Sequence, residues 1–229
     1  MKILRVLTLV GVFLLLASSR SGATPLNLQE PVGAPDFFGD YISVNYVASN
    51  GAFEALGITD QPYNNGSVTL INADWDDYSF DLTATITSAG VLTNGSLTLM
   101  GDVTGNGPEN LLTGTLMTGA DGTAFGSDTN GYGRFEFLFT VTGGNTDVVK
   151  DFNGIGATGG LLLLPDFETG DLPFNGSWAA DFNNNNFPDG EADTWAVPEP
   201  SSILLLLVGG GVCGVAHRAT TRKRVRSSR

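Results

Sequence analysis

The chain has 229 residues and a formal net charge of −13, but its charges are unevenly placed. Of its 11 bases, only Arg134 and Lys150 fall between residues 24 and 197, whereas that stretch holds every acidic residue except Glu199. A surface this acidic repels nucleic acid, whose recognition requires clustered Lys and Arg side chains. The composition therefore excludes a nucleic-acid partner for the central part of the chain.

Cysteine and histidine are nearly absent. Cys213 and His217 are the only residues of their kinds, and both lie near the C-terminus. Residues 24–196 therefore have no disulfide, no thiol nucleophile, no Ser-His-Asp triad and no histidine ligand for zinc. This removes most hydrolase designs, so we expect a protein that is not an enzyme and has no cofactor, with Ca²⁺ as the one ion to consider.

The N-terminus has the pattern of a secretory signal peptide. Lys2 and Arg5 precede an apolar stretch over residues 6–17, and the small residues 21–23 follow it. A positive start, a short apolar core and small residues at the cleavage point define such a signal. We expect a signal peptide over residues 1–23, followed by an extracellular β-rich domain over residues 24–196.

Short alternating runs dominate this domain and predict strands. Apolar and polar residues alternate with a period of two in most of them, which indicates half-buried strands. The predicted strands cover residues 41–47, 67–71, 78–87, 91–99, 111–117, 134–141 and 161–164. Asn94-Gly95 predicts a hairpin turn inside the fourth run, and the best helix candidate, Phe53–Leu56, makes little more than one turn.

Many short strands separated by turn residues are typical of an all-β sandwich or barrel. Of these two architectures we expect the antiparallel β-sandwich, jelly-roll-like with long loops, between the signal peptide and a C-terminal transmembrane helix.

An acidic and aromatic cluster precedes the third predicted strand. It consists of Asp74, Trp75, Asp76, Asp77 and Tyr78. Aromatic rings can stack on sugars while carboxylates bind their hydroxyls, so the cluster predicts a carbohydrate-binding surface. Paired carboxylates would also serve a glycan hydrolase, but that chemistry requires a set separation that the sequence does not give. The structural alternative is a loop that opens the strand, with Trp75 as a core anchor.

The segment that begins at Asp102 resembles the opening of a calcium loop. Asp102, Thr104 and Asn106 place oxygen ligands at alternate positions, and Gly107 stands sixth. Thr113 occupies the twelfth position, where a bidentate Glu is expected. A tight turn that requires glycine explains the same residues.

A second oxygen-rich segment lies between residues 181 and 193. Calcium binds six to eight oxygens, and carboxylates with Asn carbonyls suit it. The candidate ligands are Asp181, Asn183, Asn185, Asp189, Glu191 and Asp193. Their spacing fits no defined loop, and Pro188 and Gly190, which break regular structure, favour a solvated linker or loop before the C-terminal segment.

The C-terminal segment, residues 197–229, has three parts in order. Val197, Pro198, Glu199 and Pro200 come first, an uncharged apolar segment over residues 201–216 follows, and residues 217–229 carry six bases. We expect residues 201–216 to form a short transmembrane helix, although a span usually needs about 20 apolar residues. The basic end would then stay in the cytoplasm.

This arrangement resembles the sorting signal of bacterial PEP-CTERM proteins. The resemblance implies export, a transient hold in the membrane and processing near Pro198-Glu199-Pro200 by an exosortase. It also implies association with exopolysaccharide or biofilm matrix. The shared tail carries no activity into residues 24–196, because unrelated cargo uses it.

From the tail and the missing catalytic residue types we expect an exported structural or adhesive protein of the cell surface or extracellular matrix. The alternative is a carbohydrate-binding module, and a glycan hydrolase is a third possibility.

Overall fold

The computed structural model describes residues 26–71, 78–118, 125–129, 132–184 and 188–197. Within these ranges the chain forms ten strands and one short helix. The elements in order are β1 (Asp36–Val47), β2 (Ala52–Asn64), β3 (Ser79–Ile86), β4 (Leu92–Gly101), β5 (Glu109–Leu116), β6 (Phe125–Thr129), β7 (Tyr132–Gly144), α1 (Thr146–Asp151), β8 (Thr158–Leu164), β9 (Phe182–Asn183) and β10 (Gly190–Ala196).

Eight strands form a closed antiparallel barrel. They pair in the order β1-β2-β3-β4-β5-β7-β8-β10, and β10 pairs back onto β1 to complete the ring. Strand β6 lies beside the end of β7, and β9 lies beside the end of β1. The predicted all-β class is correct, but the predicted sandwich is wrong.

Local patterning could not separate the two architectures. In β3 every second residue is buried, as the sequence predicts, with Phe80, Leu82 and Ile86 inward. A strand in a sandwich shows the same alternation, because it too buries one face. The difference lies in the pairing of Phe37 with Thr194 across the seam between β1 and β10, and no local residue pattern specifies a contact so distant in sequence.

Side chains fill the barrel, as is usual for eight strands. Phe137 and Phe139 from β7 are fully buried, and they pair with Leu161 of β8 and Leu116 of β5, respectively. Gly114 and Gly159 flank Phe139 on β5 and β8, and a Cβ on either glycine would collide with its ring. The two glycines therefore provide the space that this large ring needs.

Each end of the barrel is closed by a different segment. At one end, the β8–β9 connection contributes Phe174 and Trp178, which pack on Tyr46 and Phe182 or on each other at centroid distances of 5.0–5.4 Å. At the other end, Phe152 follows α1 and stacks on Phe37 with centroids 6.0 Å apart. We call the first of these closures the aromatic plug (Phe174, Trp178 and Phe182).

Helix α1 was missed by the sequence analysis. Asn145 caps it, since its side chain accepts hydrogen bonds from the backbone N–H groups of Asp147 and Val148. Asp147 in the first turn and Lys150 in the last turn complement the helix dipole. The Asn145 cap and these two charges are the features of the sequence from which the helix could have been predicted.

One buried side chain bridges the gap along β1 between its pairing with β10 and its pairing with β9. The β10 pairing ends at Ile42, and the β9 pairing begins at Asn45. Between them the Asn184 side chain accepts a hydrogen bond from the Val44 N–H and donates one to the Ile42 carbonyl. The amide of Asn184 thus takes the place of a peptide group in the ladder.

Four further local predictions were wrong. Asn94-Gly95 lies inside β4 rather than at a hairpin, opposite Thr85 and Ala84 of β3. Residues 67–71 form no strand, and Phe53–Leu56 belongs to β2. The segment predicted as a linker contains β10, the strand that closes the barrel.

Candidate functional site

The predicted carbohydrate-binding cluster lies mostly outside the described residues. Of its members the structure describes Tyr78 alone, just before β3. Tyr78 is partly buried and packs against the core. A Cβ on Gly101 would lie 2.9 Å from the Tyr78 ring, so the absence of a side chain at Gly101 makes room for it. The Tyr78 ring therefore packs at the end of the barrel. The carbohydrate-binding role of Asp74, Trp75, Asp76 and Asp77 remains a prediction.

The Asp102 segment forms a turn organised by its own carboxylate. Asp102 is buried, and its Oδ1 accepts hydrogen bonds from the backbone N–H groups of Thr104 at 2.8 Å and Gly105 at 2.7 Å. Its Oδ2 accepts the Gly107 N–H at 3.0 Å. Burial alone would raise the pKa of Asp102, but these backbone donors outweigh it and lower the pKa. Both oxygens are thus used within the turn.

Thr104 and Asn106 complete that turn. The Asn106 N–H donates to the Thr104 hydroxyl at 3.3 Å, and both residues are more exposed than Asp102. The arrangement matches the structural alternative given for this segment, a tight turn with Gly105 and Gly107 at positive φ.

The second group of candidate calcium ligands is spread over separate parts of the barrel. Asp181 accepts the Ala48 N–H at 2.7 Å, beyond the end of β1. Asn183 pairs with Asn45 near that end of β1, whereas Asp193 pairs with Phe38 near its start. At a rise of about 3.3 Å per residue, these positions are roughly 20 Å apart.

The remaining candidate ligands do not complete a calcium site at either end of β1. Asn185 lies outside the described residues, Asp189 is exposed, and Glu191 is exposed on β10. Within the ranges that the structure describes, no group of three or more Asp, Glu, His or Cys side chains is arranged to hold a metal ion. The five candidates that the structure describes therefore do not converge on one site.

A polar clamp on β7 was not anticipated from the sequence. Glu136 is only 1% exposed although it faces away from the barrel interior. Arg134 forms an ion pair with its Oε1 at 2.7 Å, and the Asn27 N–H donates to its Oε2 at 2.9 Å. Arg134 also donates to the Leu28 carbonyl at 3.0 Å. We call residues 26–30 the strap, because these contacts hold them against the barrel.

Acidic side chains gather where the chain passes from the strap into β1. Burial raises the pKa of Asp193, and the neighbouring carboxylates of Asp36 and Glu191 raise it further. Burial likewise raises the pKa of Glu30, with added repulsion from Asp36 and Asp193. Glu30, Asp36 and Asp193 therefore destabilise one another when all three are ionised.

The fold places the protein in the class of closed antiparallel barrels whose interior is filled by side chains. Comparison of the chain with protein-family models, with curated proteins and with solved structures gave no match. Among the described residues, none of the helices has both the length and the apolar character required to cross a membrane. The predicted signal peptide and the predicted span over residues 201–216 lie outside those residues.

Proposed function

We propose that the chain is an exported, non-enzymatic protein of the cell surface or extracellular matrix, in which the barrel is the cargo of a PEP-CTERM-like tail. The observation that carries this proposal is the order of polar motif, apolar segment and basic end over residues 197–229. An exosortase-type enzyme would process the tail, and residues 201–216 would hold it transiently in the membrane with the C-terminus in the cytoplasm.

The filled barrel supports a structural or adhesive role. Aromatic side chains occupy the interior, and the aromatic plug and the α1 segment close its ends. Interactions of the barrel with a matrix would therefore use its outer face. The acidic character of residues 24–196 keeps such a surface hydrated and soluble.

Hydroxyl side chains run across that outer face in register. They form one row over β3, β4, β5, β7 and β8, made of Thr83, Ser96, Thr115, Thr140 and Thr158. Within the row, the hydroxyls of Thr83 and Ser96 are 3.0 Å apart and share a hydrogen bond. A hydrated, hydroxyl-bearing surface is compatible with an exopolysaccharide matrix.

Mass spectrometry of the protein recovered from the surface of its host tests delivery and processing together. We expect an N-terminus near Thr24 and a C-terminus near Pro198-Glu199-Pro200. Replacing these three motif residues with alanine should leave the tail attached, whereas Ser201→Ala, the matched control, should be processed normally. A surface protein that still ends at Arg229 would contradict the proposal.

Carbohydrate binding is the alternative function, motivated by Asp74 to Tyr78. A glycan array with the wild-type chain and with Trp75→Ala separates the two proposals. Binding that Trp75→Ala abolishes supports the carbohydrate-binding module. Sugar release from a bound glycan would instead support the hydrolase. An empty array leaves the structural role in place.

A further inference from the structure

The tripeptide Asn-Gly-Ser occurs three times in the described residues, beginning at Asn65, Asn94 and Asn175. An asparagine followed by glycine can modify itself, because a residue without a side chain lets its backbone nitrogen approach the preceding side-chain amide. Since the three copies share the same following residues, a difference in their reactivity must come mainly from structure. The fold places them in three different environments.

At Asn175 a backbone N–H group is placed where it can assist the reaction. The Ser177 N–H donates to Oδ1 of Asn175 at 3.1 Å, and all three residues of this copy are exposed. A donor on Oδ1 polarises the amide carbonyl and stabilises the oxyanion that forms when a nucleophile attacks Cγ. The carbonyl oxygen on the reacting carbon therefore already accepts one hydrogen bond before the attack.

At Asn65 the equivalent donor is directed elsewhere. The Ser67 N–H donates to Oδ2 of Asp151 at 2.6 Å, and the Ser67 hydroxyl donates to the same oxygen at 2.8 Å. The Asn65 side chain itself donates through Nδ2 to the Ala34 carbonyl at 3.2 Å. This copy lacks the assistance that Ser177 provides at Asn175.

At Asn94 the ladder fixes the backbone. Asn94, Gly95 and Ser96 lie inside β4, opposite Thr85, Ala84 and Thr83 of β3. A Cβ on Gly95 would approach the Thr83 carbonyl to 2.7 Å, so the glycine is packed tightly against its neighbour. The pairing with β3 restrains this backbone, so the movement that the attack requires would disturb the ladder.

We infer that Asn175 is a site of spontaneous deamidation in the folded protein. The Gly176 nitrogen attacks Cγ of Asn175 and gives up its proton, the new N–Cγ bond forms, and the Cγ–Nδ2 bond breaks as Nδ2 takes up a proton and leaves as ammonia. Water then opens the cyclic imide at either carbonyl and leaves aspartate or isoaspartate. The net reaction consumes one water, releases one ammonia and needs no oxidant or enzyme.

The position gives this reaction a structural consequence. Asn175 lies between Phe174 and Trp178, which are both buried in the aromatic plug. Isoaspartate inserts one methylene into the backbone between these two anchors. Because a packed core tolerates a change of one methylene poorly, the modified chain should hold its plug less well.

Peptide mapping of the full-length chain, incubated in mildly alkaline buffer, tests the inference. We expect Asn175 to convert at least about tenfold faster than Asn94, a ratio that needs only a modest difference in barrier, with Asn65 slower than Asn175. In denaturant the three rates should converge. Equal rates in the folded chain, or the same order of rates in denaturant, would overturn the inference.

Variants connect the modification to the plug. Asn175→Gln should remove the conversion at this position and prevent the slow fall in thermal stability of the stored protein. Asn94→Gln, the matched control, should leave that fall unchanged. If the stability of the stored Asn175→Gln protein falls as fast as that of the wild type, the proposed effect on the plug is wrong.

Discussion

Asn184 shows how a single side chain can substitute for backbone in a sheet. It is fully buried and bonds to the Val44 N–H and the Ile42 carbonyl. Replacing it with alanine would leave a buried donor and a buried acceptor without this partner. The local sequence gave no indication of this role, because Asn184 stands in a run of four asparagines.

We expect Asn184→Ala to lower the free energy of unfolding by about 2–3 kcal/mol, since each unsatisfied buried group costs about 1–3 kcal/mol. Urea denaturation followed by tryptophan fluorescence measures this change. Asn94→Ala, at an exposed position of β4, is the control and should change the stability by less than about 0.5 kcal/mol. Equal effects of the two variants would contradict the proposed bridging role.

Whereas the Asn184 side chain stabilises the fold, the negative charge of Asp193 destabilises it. Its pKa is raised, so the ionised form is less stable in the folded state than in the unfolded chain. The stability associated with this group is present at low pH and is lost as the pH rises through the raised pKa. The wild-type protein therefore carries this cost at neutral pH.

Asp193→Asn should accordingly stabilise the protein at neutral pH, by about 0.5 kcal/mol after allowance for solvent screening. The advantage should shrink as the pH falls toward about 4, where an ordinary carboxyl takes up its proton. Melting temperatures of both proteins across this pH range provide the measurement. Asp81→Asn, at an exposed position on β3, is the control, and a gain for Asp193→Asn that is constant with pH would disprove the explanation.

At the scale of elements, the strap depends on one ion pair. Arg134→Met leaves the buried carboxylate of Glu136 without its cationic partner and releases the Leu28 carbonyl. We expect a loss of about 3 kcal/mol, because an uncompensated buried charge is costly. Earlier proteolytic cleavage of residues 26–30 should accompany this loss.

The double variant Arg134→Met/Glu136→Leu provides the discriminating measurement. Replacing both charged partners with apolar residues should recover most of the stability lost in Arg134→Met. Lys150→Met, which removes the other base of residues 24–197, is the matched control and should have little effect. A double variant less stable than Arg134→Met would show that the strap does not depend on charge compensation.

Some elements could be predicted from the sequence and others could not. Strands β3 and β7 were correctly predicted, because apolar residues such as Phe80 and Phe137 recur at every second position. The Asn94-Gly95 hairpin was wrong, because the strand passes Asn94-Gly95 with only a one-residue register shift between Leu92 and Asn94, after which Leu97 and Leu99 are again buried. The polar clamp between β7 and the strap was missed because it joins residues that are far apart in sequence.

At the scale of the molecule, β10 decides whether the barrel exists. It pairs with β8 on one side and with β1 on the other. A chain that ends at Asp189 lacks this strand and should lose its single cooperative unfolding transition. A chain that ends at Val197 should retain the transition, as measured by calorimetry. If the shorter chain also unfolds cooperatively near the same temperature, the ring is not the folding unit.

The candidate sites were less predictable than the fold class. Oxygen-rich sequences at Asp102 and at Asp181 to Asp193 indicate ligand types but not convergence. The structure shows Asp102 bonded within its own turn and divides the second group between distant parts of β1. Residue type alone could not reveal either arrangement, because both depend on the course of the backbone.

The pairing of the first strand with the last also determines the order in which the molecule can form. Synthesis proceeds from the N-terminus, so β1 emerges long before β10 is available to pair with it. Until then, β1 and β8 each present an open strand edge, which is a template for association with other chains. Such a non-local closure is expected to make folding slow. The growing chain is therefore most vulnerable to aggregation just before its last strand is complete.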